Sequence, residues 1–547
     1  MVTVRNFHPE SGELQYLMGR ILEALGRDEE AWDWYMQSAW VQDSRSRAMT
    51  RAAMLEGRRG DYEEMLAHAD EALKQHACNE TAMLVKVVAL RHLGCSKADE
   101  VLAQAEAYDA LNLTLRALKY GATDKLYASM LSDARQSALD IAADLTAMGE
   151  CTLAAEILAN LPEKVAQTEY VRWYLTGDEN ALQAASKLGS GVAYPMRSIE
   201  YMALWAAVAS NPNDANALNL LACLEYASGN HQEAAILWER AIQADPDGYM
   251  PYRNLAVARY SHLGKREDAL DLMYKALERH RGDGQLVWEM AHLMTRMQVN
   301  PNEIAEFLFN EGYVREDTAI ELCRALNTAG RHEEVIDLML NKNFTPCEGG
   351  EHAVAEQFMF AHHAMGRKLL NAGKAEEALE HFRKAQVLPD NLGAGLWNVV
   401  LLVPHQYYEA QCLEKLGKAD EARKLYDHIL ILKIDYFSNM HLPELGCWQA
   451  MALKATGRPG PAQEMVAEHL RKQQKAVTAR DAGYYKTTPF FISFMENPKT
   501  LRKAGCNWQT AMAHFAAGNK QLASEYAAES LKGEPANLYA GLIAQGE

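Results

Sequence analysis

Ser228-Gly229-Asn230-His231-Gln232-Glu233-Ala234 is the phrase on which the reading of this chain turns. It reads as one helix ending at glycine and another starting within a few polar residues. Glycine takes the left-handed conformation that ends a helix without a Cβ penalty, and acidic residues suit the first turn of the helix that follows. Ala234, five residues past the glycine, is small because two helices cross closely there. Apolar residues surround the turn at helical spacing. Leu218, Leu221 and Ala222, with Glu225, precede it; Leu237, Trp238, Ala241 and Ile242 follow, and Asp245-Pro246 closes the unit.

The phrase recurs as Leu25-Gly26-Arg27-Asp28-Glu29-Glu30-Ala31, Arg59-Gly60-Asp61-Tyr62-Glu63-Glu64-Met65 and Leu263-Gly264-Lys265-Arg266-Glu267-Asp268-Ala269. It returns again as Ala372-Gly373-Lys374-Ala375-Glu376-Glu377-Ala378, Leu416-Gly417-Lys418-Ala419-Asp420-Glu421-Ala422 and Ala517-Gly518-Asn519-Lys520-Gln521-Leu522-Ala523. Anchors are 34 residues apart from Ala31 to Met65, 35 from Ala234 to Ala269 and 36 from there to Ala305. They stretch to 43, 44 and 40 between Val335, Ala378, Ala422 and Ala462. A period near 34, small residues at the crossing, an aromatic on the second helix and a proline at the exit resemble the tetratricopeptide repeat. The expected fold is therefore all-α: a right-handed α-solenoid superhelix of helix pairs, about 70–75% helical, with irregular loops in its C-terminal third. Asn300-Pro301-Asn302-Glu303 restarts a helix, with Asn as cap, Pro in the first turn and Glu at the capping-box position.

The array is expected to divide into an N-terminal repeat block over 1–162 and a degenerate segment over 163–210, broken at Gly177 and Gly189-Ser190-Gly191. A regular block over 211–340 and a C-terminal block over 341–547, with long loops and an aromatic cap, complete it. That cap is Tyr484, Tyr485, Phe490, Phe491 and Phe494, where Pro489 and Pro498 forbid a continuous helix.

Composition narrows the function. The 547 residues carry 55 Lys+Arg against 73 Asp+Glu, a formal charge of −18. Nucleic-acid backbones and anionic membranes both need a positive footprint, so neither is expected as a partner. Hydrophobic residues at 49% exclude wholesale disorder. Nine cysteines stand singly with no Cys-x-x-Cys pair, which fits reduced thiols better than a disulfide framework or a zinc site. Residues 1–10 hold no apolar stretch of the secretion-signal kind, and the apolar run from Leu396 to Pro404 is too short to span a bilayer. A cytoplasmic location is expected.

A closer resemblance rests on Asn6-Phe-His-Pro-Glu-Ser-Gly-Glu-Leu14, Glu348-Gly349-Gly350-Glu351, Pro389-Asp390-Asn391-Leu392-Gly393, and Tyr484-Tyr485 with Pro489-Phe490-Phe491. Together they resemble the C-terminal half of bacterial proteins whose N-terminal half is a β-sandwich domain of unknown function, itself similar to galactose mutarotases. The pattern departs at Cys347, where that family carries an aromatic, and at Ala394-Gly395-Leu396, where it carries Glu, Gly and a basic residue. The resemblance implies either a stand-alone repeat protein or the helical partner of a separately encoded β domain.

Catalytic signatures are missing from the sequence. There is no phosphate-binding Gly-x-x-x-x-Gly-Lys-Ser/Thr loop, no Gly-x-Gly-x-x-Gly, no His-Glu-x-x-His and no Gly-x-Ser-x-Gly. His352, Glu356 and His363 share one helical face, an arrangement that can hold a divalent ion. The loose spacing favours a plainer reading, with His362 or His363 packed in the seam between helices, so no metal or cofactor is expected. Counting register from Ala234 and Ala269 puts Asn219 and Asn254 at the groove-facing position of successive first helices. There an Asn ladder can bond an extended peptide in both directions, with Tyr226 and Arg253 in support.

A second candidate surface is a loop cluster. Residues 341–352, 388–405 and 434–446 all break the period in the same third of the chain, and insertions in adjacent repeats tend to emerge on one face. Glu348, Gly349, Gly350, Glu351, Asp390, Asn391, Gly393 and Trp397 are its candidate contacts. The apolar run Val399-Val400-Leu401-Leu402 is either packed beneath the loops or exposed as an interface. The expected function is a non-catalytic scaffold for protein–protein interaction, binding a peptide segment, a β-sandwich domain or its own copy. The other class kept open is the helical subunit of a carbohydrate-processing complex with a mutarotase-like β-sandwich protein.

Overall fold

The computed structural model describes residues 11–123, 133–189, 194–313, 315–345, 351–396, 399–479 and 493–546, the side chain of Glu351 excepted. Among the described residues 77% are helical and no strand occurs. The turn phrase does what its chemistry requires. All seven of its glycines hold positive φ, from 68° at Gly264 to 90° at Gly518. Ala31, Met65, Ala234, Ala269, Ala378, Ala422 and Ala523, five residues on, are all buried at the helix crossings. Asn300 caps the helix Pro301–Glu311 by accepting from the Asn302 amide at 2.9 Å, with Pro301 in the first turn.

The chain forms two compact units, Met1–Pro251 and Tyr252–Glu547. In the first, consecutive helices pack in antiparallel pairs such as Gln42–Arg59 with Tyr62–Gln75, and Ala215–Ala227 with His231–Ala244. The helix Ala134–Ala147 also returns to Gln42–Arg59. The contact is close: a Cβ on Gly57 would lie 2.6 Å from the Met148 carbonyl, and one on Gly149 would lie 2.6 Å from the Gly57 carbonyl. Through the irregular stretch the helices are Ala166–Thr176, ended by left-handed Gly177, then Glu179–Ala185 and Ser198–Ser210. Tyr170 ties the stretch down, its hydroxyl donating 2.9 Å to the Asp214 carboxylate that also caps Ala215–Ala227.

The second unit stacks Glu316–Thr328 with His332–Asn341, Glu351–Asn371 with Ala375–Lys384, Val403–Lys415 with Ala419–Ile431, Leu445–Ala455 with Pro459–Thr478, and Pro498–Ala517 with Lys520–Leu531. In a plain repeat array each pair touches only its neighbours. This unit closes on itself instead. Its last helix, Leu538–Ala544, packs on Glu316–Thr328 and Glu351–Asn371, where Leu538 and Leu542 bury against Phe360 and Ala364. Tyr539 sets its ring edge to Phe360 at 5.1 Å.

A second closure lies at 493–496. Phe494 meets Tyr260 edge-on at 5.3 Å, and Glu496 accepts from the Tyr260 hydroxyl and, at 2.7 Å, from Arg266. Of the five aromatics of the expected cap, then, Phe494 packs on an early helix of this unit. Tyr484, Tyr485, Phe490 and Phe491 lie outside the described residues. Among the described residues no helix is long and apolar enough to cross a membrane.

Candidate functional site

The residues expected in a peptide groove are placed differently. Asn219 is buried, and its side-chain oxygen accepts the Trp238 indole N–H at 3.1 Å. Tyr226 packs its ring on His231 and Trp238, at 4.9 and 5.7 Å. These two belong to the first unit and Arg253 and Asn254 to the second. Asn254 is buried and accepts from Arg253 at 2.9 Å, while Arg253 also forks onto the fully buried Glu289. Burial would raise the Glu289 carboxyl, but Arg253, Ser493 and Gln285 together hold it below its ordinary value. The register count missed these partners because a polar residue in a helix looks the same whether it meets water or a neighbouring repeat.

In the loop cluster, Glu348, Gly349, Gly350, Trp397 and the side chain of Glu351 lie outside the described residues. Asn391 knits its loop to the end of His332–Asn341: its amide donates to the Met339 and Lys342 carbonyls, both at 2.8 Å, and its carbonyl accepts from Phe344. Asp390 and Asn391 form a short 3-10 turn ended by left-handed Gly393.

The described parts of the three interruptions do meet, around a cavity of about 480 Å³ in the second unit. Helix Glu351–Asn371 gives it one face through His352, Ala355, Glu356 and Met359, the i, i+3, i+4, i+7 stripe of a helix. Leu401 and Pro404 come from the second interruption and Met440 to Glu444 from the third. Trp448 and Trp508 add aromatic walls, Arg296 a cation, and the closing segment supplies Glu534, Asn537 and Tyr539. Sequence reasoning marked the region but not Glu444, Trp448, Trp508, Tyr539 or Arg296. The period break at 434–446 points toward the first two; nothing in the regular repeats around Trp508, or in the final helix, singles out the others.

Two carboxyls dominate the wall. Glu356 has an exposed side chain and lines the cavity. Desolvation raises its carboxyl above the ordinary value against the pull of Arg324. Glu444 is buried and is likewise raised by desolvation. Its own backbone N–H, Gln509 (donating at 3.2 Å) and Trp508 draw it only partly back. The Tyr539 hydroxyl is pushed far up, first by burial and then by both carboxylates, so it remains a phenol. Trp448 is 4% exposed, and its indole N–H has no hydrogen-bond partner among the described residues. At the rim His352 and His441 stand with ring centroids 5.3 Å apart.

Beside this wall two histidine pairs pack in the seam, as the plainer reading of 362–363 anticipates. His362 meets His381 at 3.0 Å and His363 meets His405 at 3.2 Å, Nδ1 to Nδ1. Burial and then His381 lower His362 to about 4, and burial and then His362 lower His405 to about 3. Each pair is thus neutral, one nitrogen donating and the other accepting. His363 is ringed by Phe382, Tyr408 and Tyr539. Among the described residues no group of three or more His, Cys, Asp or Glu is arranged to hold a metal.

Residues 203–249 and 219–284 match a family model described as tetratricopeptide repeat. Among solved structures the chain is similar to YrrB, described as a TPR protein with an unusual peptide-binding site, at 19% identity over 34% of this chain and 91% of that one, with a TM-score of 0.27. It is also similar to the Cut9–Hcn1 hetero-tetramer of APC/C, at 12% identity over 99% and 97% with a TM-score of 0.26, and to yeast Tom70, at 12% over 93% and 96% with a TM-score of 0.24. Superpositions and identities this low carry no argument about function. The helical-repeat reading stands on the matched segment and on the helix pairs themselves.

Proposed function

We propose that the chain is a non-catalytic tetratricopeptide-type scaffold that docks another protein through the loop cluster of its second unit. One observation carries this reading. Val399, Ile431, Ile434, Tyr436, Phe437 and Met440 are all exposed, on the second interruption and on and around the short helix Tyr436–His441, which contacts the segment Val399–Leu402. Apolar side chains scattered singly over a surface need no explanation, but a group of six on adjoining segments marks an interaction site. The run 399–402 divides accordingly, with Val400 buried beneath and Val399 left outside. Aromatic anchors such as Tyr436 and Phe437, whose rings stand 5.7 Å apart, contribute much of the binding free energy where proteins meet.

The test is capture from the source cell's lysate with the full chain and with Tyr436→Asp/Phe437→Asp. The expected result is a protein held in fixed stoichiometry by the wild type and lost from the variant, with melting unchanged. Identical recovery by both removes the surface from consideration. A β-sandwich protein among the recovered partners would identify the occupant as the domain that the sequence resemblance implies.

A further inference from the structure

We propose that the cavity behind that surface binds one neutral, polyhydroxylated ring: a monosaccharide unit or a cyclic polyol. The inference concerns the chamber rather than the apolar surface, and it holds whether or not a protein docks outside.

Size sets the first limit. A space of about 480 Å³ falls within the range of small-molecule pockets and has room for a ligand of one or two rings. Charge sets the second. An anion meets three carboxyl groups along the lining, Glu356, Glu444 and Glu534. A cation meets Arg296 in the same lining, so neither sign of ligand charge is matched throughout. A neutral polar ligand remains.

The lining then says which kind. A carboxyl offers two oxygens side by side, which can meet a pair of vicinal hydroxyls. Glu356 presents such a group to the chamber, and the Tyr539 phenol adds a further donor near both carboxyls. Trp448 lines the space as well, with an indole N–H that finds no acceptor among the described residues. Trp448, Trp508 and Tyr539 supply flat apolar faces to cover the C–H side of a ring. A purely apolar guest would offer nothing to Glu356; a flat heterocycle is the competing guest, and the adenine control tests it.

The test uses the full chain and ligand-observed saturation-transfer NMR with calorimetry. The panel is methyl α- and β-glucopyranoside, the corresponding galactosides and mannosides, and myo-inositol, with choline, citrate and adenine as controls. At least one panel member is expected to bind more tightly than about 10 mM. Glu356→Leu, which removes the carboxyl, and Trp508→Phe, which narrows one face, should each weaken it about tenfold, a free-energy change of about 1.4 kcal/mol. Helical circular dichroism and melting should be retained. If Glu356→Leu does not fold, Trp508→Phe decides alone. Absence of binding across the panel overturns the proposal, as does binding indifferent to the variants, or stronger variant-sensitive binding of choline, citrate or adenine. Tyr436→Asp/Phe437→Asp should leave sugar binding intact, so failure of the docking reading and failure of this one are separable.

Discussion

Two tryptophans on helices of this chain meet opposite circumstances. In the first unit Trp238 gives its indole N–H to Asn219 at 3.1 Å, inside a helix pair of regular period. Nearby, Asn230 donates 2.7 Å to Glu225, so the polar groups of that pair hold the repeat together. In the second unit Trp448 follows directly on a break in the period, and its N–H meets no acceptor among the described residues. Glu356 and Glu444 share its wall and are held toward their neutral forms. A regular repeat turns its buried polar groups inward on one another; an interrupted one leaves them around a chamber. Intra-repeat and cavity-lining positions thus draw on the same residue types.

That contrast can be broken at several points. The largest effect is expected from Ala234→Leu, which forces three carbons into a fully buried crossing and should cost ~1–3 kcal/mol in thermal melts. An unchanged melt would mean that the regular pair is not close-packed. Asn219→Ala strands the Trp238 N–H and should cost about 1–2 kcal/mol. Glu356→Gln in the interrupted region should show no such loss, and equal costs at the two sites would erase the distinction.

The carboxyl pair predicts a pH signature. Both groups have folded pKa values above the ordinary 4.5, so the folded state binds protons more tightly than the unfolded chain. Stability is fully present below the unfolded pKa and falls as pH rises through the folded values. Glu356→Gln/Glu444→Gln should therefore melt like the wild type near pH 4 and above it near neutrality. A gap that shrinks with rising pH would contradict the assignment.

The histidine pairs carry the opposite sign. Their folded pKa values lie below 6.5, reaching about 4 at His362 and about 3 at His405, so stability present above pH 6.5 is lost as pH falls toward those values. His405→Gln should flatten that acid limb in a melt series. The smallest effect on stability belongs to Phe437→Asp, within about 0.5 kcal/mol, as expected of an exposed residue.

Much of the fold was legible because it is written in local chemistry. The left-handed glycines, the small residue five positions on and the caps at Asn300 and Asp214 act within a few residues of themselves. The irregular stretches announced themselves by breaking the period, and the region of the cavity followed from that. Its individual residues did not. Asn219 carries the same sequence signature whether it faces a peptide or the indole on its own neighbouring helix. Tyr539, Trp508 and Arg296 reach the chamber because the second unit closes on itself, and that pairing of remote segments leaves no trace in a local pattern.

That closure bears on how the protein is made. Stacked repeats can form one after another as they leave the ribosome, since each needs only the pair before it. The second unit cannot finish that way. Tyr260 waits for Glu496, 236 residues later, and Phe360 waits for Leu538 and Leu542. Until those segments have been synthesised, the inner faces of Glu316–Thr328 and Glu351–Asn371 stand uncovered. Once they arrive, contacts of such long separation bind early and late pairs into one cooperative transition, slower to form than a simple stack. Removing residues 538–544 should return the unit to gradual, pair-by-pair melting.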